Sequence, residues 1–283
     1  MNYNSGFVNE LLANFHASFL EDKDKWCAIA NLGPEGDNYR KRSYQKLYIL
    51  RYFPAYYLEY CILAETLRRR LGSKCSGVKI VSLGCGICSD YFALRDNLGD
   101  IPFQYVGYDR CEWSTQELIP EVKESNFSFE FFTTHDFELG DLNDVDVFVF
   151  PKSIGDIEAD DGLEHLTKVI ASTKKNRIFF LNSYVSNGTE NKSVNAGYFK
   201  RIHDALVTEG FNTEDEVNST TWKGATFGDG LRKICWDFCY PNEYLVECAD
   251  KGSTEQCSSC GVVKRPVMTN KFMEYQFLEY IRE

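Results

Sequence analysis

Three groups of residues in this 283-residue chain have types and spacing suited to chemistry. The first is Leu83-Gly-Cys-Gly86 with Asp109 further on. Gly84 and Gly86 let a backbone turn sharply with no Cβ between it and a ligand. Asp109 stands 23 residues after Gly86, about where a nucleotide-binding fold brings a carboxylate to ribose hydroxyls. The second group is Pro151-Lys-Ser-Ile-Gly-Asp156, which offers an amine, a hydroxyl and a carboxylate in Lys152, Ser153 and Asp156. The third is Cys257-Ser-Ser-Cys260, the form of a zinc knuckle in which a tight turn aims two thiolates at one ion.

Each group has a plainer reading. A Gly-x-Gly also serves an ordinary turn between strand and helix, and an aspartate such as Asp109 also caps turns. Lys152 also fits a solvated loop. Cys85 and Cys88 make a Cys-x-x-Cys inside the glycine turn and read as small packing residues there. For the knuckle, Cys239 and Cys248 complete a set of four spaced Cys-x8-Cys-x8-Cys-x2-Cys. Cys235 faces the same side of its strand as Cys239 and could replace it. Four thiolates leave no open position, so such a zinc is structural. Free or redox-active thiols and a disulfide are the competing states.

The elements that must position these residues follow from the apolar pattern. Val78, Ile80, Val81 and Leu83 predict a buried strand running into the glycine turn, with a helix from Ser89 to Asn97. Gln104–Asp109, Phe127–Phe132, Val147–Phe150 and Arg177–Tyr184 read as further strands, and Asp160–Ser172 and Asn195–Glu209 as helices. This alternation predicts a parallel sheet with helices on both faces. Asp109, Thr133–Phe137 and Lys152–Asp156 then fall at the carboxyl ends of strands, where open α/β sheets bind ligands. The stretches Glu214–Trp222 and Lys233–Tyr240 suit an antiparallel hairpin closing the sheet, and Lys271–Arg282 reads as a short terminal helix.

Residues 1–75 read as a helical region in front of this core. Phe7, Leu11, Leu12, Phe15 and Phe19 recur at helical spacing. Tyr39–Leu71 combines Arg40, Lys41, Arg42, Lys46 and Arg51 with tyrosines at 44, 48, 52, 56 and 60, a period that lines one helix face. Such rings and charges could stack on bases, grip phosphates or close over an adenine. A packing face beside Leu47, Leu50, Leu58 and Leu63 is the favoured reading. Pro54 is expected to start a new helix or kink one, and Arg68, Arg69 and Arg70 suit a helix carboxyl terminus.

Composition narrows the class. Hydrophobic residues are 43% and charged residues 26% of the chain, the balance of a globular protein. No run approaches the roughly 18 apolar residues that cross a bilayer. Without a secretory leader the expected location is cytoplasmic, and eleven cysteines there favour free thiols or metal over a disulfide framework. The net charge of −11 weighs against broad nucleic-acid binding and keeps protein and small-molecule acceptors open, while the 39–51 basic and aromatic patch keeps RNA or DNA open as well.

In this order of motifs the chain resembles the class I S-adenosylmethionine-dependent methyltransferases over residues 76–242. The residues that carry the resemblance are Leu83-Gly-Cys-Gly86, Asp109, Asp136 and the edge hairpin. The resemblance implies a doubly wound, seven-stranded, mostly parallel sheet with an antiparallel last strand; residue spacing adds a helical extension over residues 1–75 and a Cys-rich zinc appendage over 243–283. The resemblance further implies Gly84, Cys85 and Gly86 against the methionine and ribose of the cofactor, Asp109 on the ribose hydroxyls, and Asp136 with Phe137 at the adenine. Lys152, Ser153 and Asp156 are the candidates to act on the acceptor. Phe150-Pro-Lys-Ser153 stands where many base-amino methyltransferases carry Asn/Asp-Pro-Pro-aromatic, which argues against that acceptor. A dinucleotide fold would place a third glycine where Ser89 stands, so an NAD-linked enzyme is the weaker rival. A binding protein that keeps the cradle without transferring a methyl group is the other.

Overall fold

The computed structural model describes residues 1–30, 32–33, 36–120, 124–186, 194–222, 248, 252–253, 255, 257 and 273–282. The chain opens with α1 (Ser5–Leu20), whose Asn4 side chain accepts from the Phe7 amide as an N-cap, and a single turn, α2 (Trp26–Ile29). A 30-residue helix, α3 (Arg42–Leu71), follows. Pro54 lies inside α3 and neither ends it nor starts another helix. The packing of α3 on the core outweighs the lost backbone hydrogen bond.

The α/β alternation then runs as expected. It comprises β1 (Val78–Leu83), α4 (Ser89–Asn97), β2 (Phe103–Asp109), β3 (Phe127–Phe131), β4 (Val147–Pro151), α5 (Ile154–Ala159), α6 (Leu163–Ala171), β5 (Arg177–Ser183) and α7 (Val194–Thr208). Three further strands are β6 (Phe211–Asn212), β7 (Thr221–Trp222) and β8 (Glu274–Arg282). The sheet order is β3-β2-β1-β4-β5-β8-β6, with β7 also on β8. Strands β1 to β5 pair in parallel, while β8 runs antiparallel to β5, β6 and β7.

Side chains of alternate strand residues enter two separate cores, which is what makes the sheet doubly wound. Ile80, Val147, Val149, Phe179 and Leu181 face the core shared with α1, α3 and α4. Val81, Leu83, Phe148, Phe150, Ile178 and Phe180 face the one shared with α6 and α7. Helices α1 and α3 therefore supply, with α4, one helical layer against the sheet. Phe15 and Phe19, fully buried there, each contribute about 1.5–3 kcal/mol through apolar burial.

The carboxyl terminus differs from its sequence reading. Glu274–Arg282 is a strand inserted beside β5, not a terminal helix. Its residues alternate in burial, with Gln276, Leu278 and Tyr280 on the buried face. The helical reading rests on apolar residues at 272, 275, 277 and 278, but Tyr275 and Phe277 pack on one core and Leu278 on the other, as the two faces of a covered strand do. The antiparallel strand next to β5 is thus β8, while Lys233–Tyr240, proposed for that place, lies outside the described residues.

Of the cysteines proposed to hold zinc, Cys239 and Cys260 lie outside the described residues, as does Cys235. Cys248 and Cys257 are half-buried. Among the described residues there is no group of three side chains able to hold a metal ion. No described helix is long and apolar enough to cross a membrane.

Candidate active site

The turn after β1 is fixed by backbone geometry. Gly84 and Gly86 have φ of +74° and +57°, a region that L side chains enter only at a cost. The amides of Gly84 and Cys85 both donate to the Tyr108 carbonyl at 2.8 and 3.1 Å, tying the turn to the end of β2. A Cβ on Gly84 would lie 2.5 Å from the Ser153 Cβ, and one on Gly86 would lie 3.3 Å from the Trp113 ring. The glycines thus make room for neighbouring protein as well as for a ligand. Cys85 and Cys88 are buried, and burial pushes both thiols up. Their sulfurs pack over Gly107, where a Cβ would come within 2.8 and 3.2 Å of them. That contact supports the packing role expected of this Cys-x-x-Cys.

Asp109, at the end of β2, is 9% exposed. One carboxylate oxygen accepts from the Gly86 amide and the other from the Cys111 amide, both at 2.7 Å. Burial raises its carboxyl, and the two amides act against that rise. Each oxygen retains a lone pair, so the group can accept further hydrogen bonds from a diol.

Asp136 is placed differently from its expected role. It is exposed, its carboxylate accepts from the Thr133 amide and hydroxyl at 2.9 and 2.7 Å, and it caps its own turn. These bonds hold its carboxyl below the usual range. It does not line the cavity described below, whereas Phe132, Thr134, His135 and Phe137 do. Phe137 is buried against Phe132 and Tyr108, with ring centroids 4.6 and 5.0 Å away.

Beyond β4, the three candidate acceptor residues meet three fates. Lys152 adopts a left-handed backbone (φ 59°) and is buried rather than solvated. Its Nζ lies 3.0 Å from Glu59 of α3 and donates to the Tyr184 carbonyl at 2.8 Å. Ser153 donates its hydroxyl to the Leu83 carbonyl, so that hydroxyl braces the glycine turn. Asp156, in the first turn of α5, is exposed. The protein around it raises its carboxyl, and Arg110 pulls it partly back.

Gly84, Cys85, Gly86, Asp109, Phe137, Lys152, Ser153 and Asp156 border one cavity of about 770 Å³, a size typical of small-molecule sites. It opens beyond the carboxyl ends of β1, β2 and β4, where the strand order reverses. Its roof is α3, through Tyr48, Tyr52, Tyr56 and Tyr60, joined by Tyr39 and Trp113. Tyr48 packs on Tyr39, Tyr52 and Trp113 with centroids 5.2, 5.1 and 6.1 Å away. The period-four tyrosines are therefore both packing face and cavity wall.

Parallel β1 to β5 with the antiparallel β8 beside β5 form the mostly parallel α/β sheet expected from the sequence. No protein-family model matches the chain, and neither does any curated protein. Solved structures similar to it include a SAM-dependent methyltransferase from Aquifex aeolicus, at 13% identity over 57% of this chain and 84% of that one, TM-score 0.38. Another is a TehB-like SAM-dependent methyltransferase from Corynebacterium glutamicum, at 12% identity over 94% and 99%, TM-score 0.39. A third is phosphoethanolamine N-methyltransferase 2 of Haemonchus contortus with S-adenosyl-L-methionine, at 12% identity over 77% of this chain and 52% of that one, TM-score 0.41.

Trp113, Arg110, Tyr39, Asn195 and Tyr198 also line the cavity and were not singled out in the sequence. Arg110 and Trp113 follow Asp109 in the loop after β2, a position that open sheets use for ligands, so their signal was present. Within the basic patch at 39–51, three side chains are engaged by neighbouring protein. Lys46 is buried on Asp22 at 2.7 Å, Arg42 meets Glu117 at 2.5 Å, and Lys41 donates to Asn38 at 3.0 Å.

Proposed function

We propose that this protein is an S-adenosylmethionine-dependent methyltransferase. The observation that carries the reading is Asp109: a buried carboxylate fixed by the glycine-turn amide of Gly86, opening with that turn into one cavity at the switch point of the sheet. The residues fit the cofactor. Asp109 accepts the ribose hydroxyls, the Gly84–Gly86 turn lies along the ribose and methionine, and Phe132, Thr134 and Phe137 border the adenine side in place of Asp136.

When bound, the cofactor supplies a methyl group on a positively charged sulfur. The chain's part is to position and enclose. The roof of α3 covers the cavity and keeps water from it, Ser153 and Lys152 fix the floor beside the glycine turn, and Asp156 meets the acceptor. No described side chain needs to form a covalent intermediate.

The test is transfer from a methyl-labelled donor into extract fractions by wild type and by Asp156→Ala. The proposal expects label in one fraction with wild type and at least a tenfold loss with the variant. Donor binding without labelling of any fraction would assign the chain to binding without catalysis.

A further inference from the structure

Resting on the methyltransferase reading, we infer that the acceptor is a small cation, an amine-bearing molecule held between the tyrosine roof and Asp156. The roof exposes half-buried rings of Tyr39, Tyr48, Tyr52 and Tyr56 to the cavity. Aromatic faces attract cations, by about 0.5–1 kcal/mol in water and 2 or more when desolvated. The phenols of Tyr39, Tyr48 and Tyr56 are pushed up by burial and stay neutral. The rings therefore attract through their faces, and formal charge must come from elsewhere.

That charge comes from a cavity whose cations are already matched. Lys152 sits against Glu59 and also faces the buried Glu274. Arg110 pairs with Asp160, and Arg40 with Asp37 at 3.9 Å. Asp109 serves the two backbone amides and, on this reading, the ribose. Asp156 is left, open to the cavity, with no ion-pair partner at 4 Å or less among the described residues and within electrostatic range of the Tyr39 hydroxyl and of Arg110, whose guanidinium is itself paired with Asp160. A phosphate-bearing acceptor would find the two basic groups nearest Asp156 and the glycine turn, Arg110 and Lys152, already held by carboxylates, whereas an ammonium finds rings and a carboxylate. The exposed apolar side chains of Phe131 (65%) and Val185 (52%) at the mouth suit the carbon skeleton of such an amine.

The chemistry balances. The ammonium gives one proton to the Asp156 carboxylate, which passes it to water at the mouth. The freed nitrogen lone pair forms the new bond to the methyl carbon while the carbon–sulfur bond breaks. Its electron pair stays on sulfur as a neutral thioether, and the product is a methylated ammonium.

The test uses full-length protein saturated with S-adenosylhomocysteine, whose sulfur is neutral, so that the rings have no sulfonium to hold. Choline, its uncharged isostere 3,3-dimethylbutan-1-ol and inorganic phosphate are titrated against it by calorimetry. The inference expects choline to bind at least tenfold more tightly than the alcohol. Asp156→Asn and Tyr48→Leu should each remove most of that preference, and Tyr52→Leu serves if the Tyr48 variant does not fold. Equal binding of choline and alcohol, absence of choline binding at tens of millimolar, or a preference for phosphate would overturn it. Failure of S-adenosylhomocysteine itself to bind would strike the methyltransferase reading instead, so the two failures are distinguishable.

Discussion

Glu59, in the middle of α3, and Lys152, in the turn after β4, form an ion pair at 3.0 Å with side chains 0% and 7% exposed. It joins the roof of the cavity to its floor. Burial raises the Glu59 carboxyl and lowers the Lys152 amine, and each opposes that shift in the other. Removing one partner leaves a buried charge uncompensated, which costs about 3–5 kcal/mol, while replacing both by apolar residues is often near neutral. Glu59→Met should therefore lower the urea midpoint sharply, and Glu59→Met with Lys152→Met should recover most of the loss. A double variant as unstable as the single one would show that the pair is not the unit that matters.

The glycine turn separates two effects that usually travel together. Gly99 has φ +63° with nothing within 4 Å of a Cβ, whereas Gly84 has φ +74° and the Ser153 Cβ only 2.5 Å away. Gly99→Ala should cost the backbone term alone, about 1–2 kcal/mol. Gly84→Ala should cost more and also weaken donor binding, because the turn must shift at the cavity wall. Thermal melts and donor titrations of both variants measure this, and equal losses in stability would contradict the crowding.

Asp90, at the start of α4, is fully buried, accepts from the Tyr105 hydroxyl at 2.9 Å, and is pushed up to about 6 by burial. A carboxyl raised in the folded state binds its proton more tightly there than when unfolded. Its contribution to stability is thus present at low pH and is lost as pH rises from about 4 to about 6, by up to about 3 kcal/mol. Asp90→Asn should remove this component. The difference in unfolding free energy between variant and wild type should grow in the variant's favour over that window and then level off. A difference that does not change with pH would show that Asp90 is not buried in this way.

The core of the fold was legible because β1, β4 and β5 are apolar runs of strand length and because Ser89 opens a helix where the glycine turn ends. Asp109 was legible by its distance from Gly86, and Tyr48, Tyr52 and Tyr56 by their period. The terminal strand was not. Its buried face carries Glu274 and Gln276, and Gln276 is used to donate to the carbonyls of Glu216, Val217 and Ser219. Polar residues spent on a neighbouring loop hide the alternation that marks a strand. Lys152 misled in the same way: a lysine in a loop reads as solvated unless its partner is known, and Glu59 lies 93 residues earlier. Asp136 stood at the expected strand end, but its side chain turns back to Thr133, a local bond that competes with any ligand.

The central claim is that Asp109 and the glycine turn bind the methyl donor, and isothermal titration with S-adenosylhomocysteine tests it most directly. Wild type should bind at one site per chain. Asp109→Asn, which sets a side-chain amide donor against the Gly86 or Cys111 amide, should bind at least tenfold more weakly while remaining folded by circular dichroism. A folded wild type that gives no heat at millimolar ligand, or an Asp109→Asn variant that binds as tightly as wild type, would contradict the account.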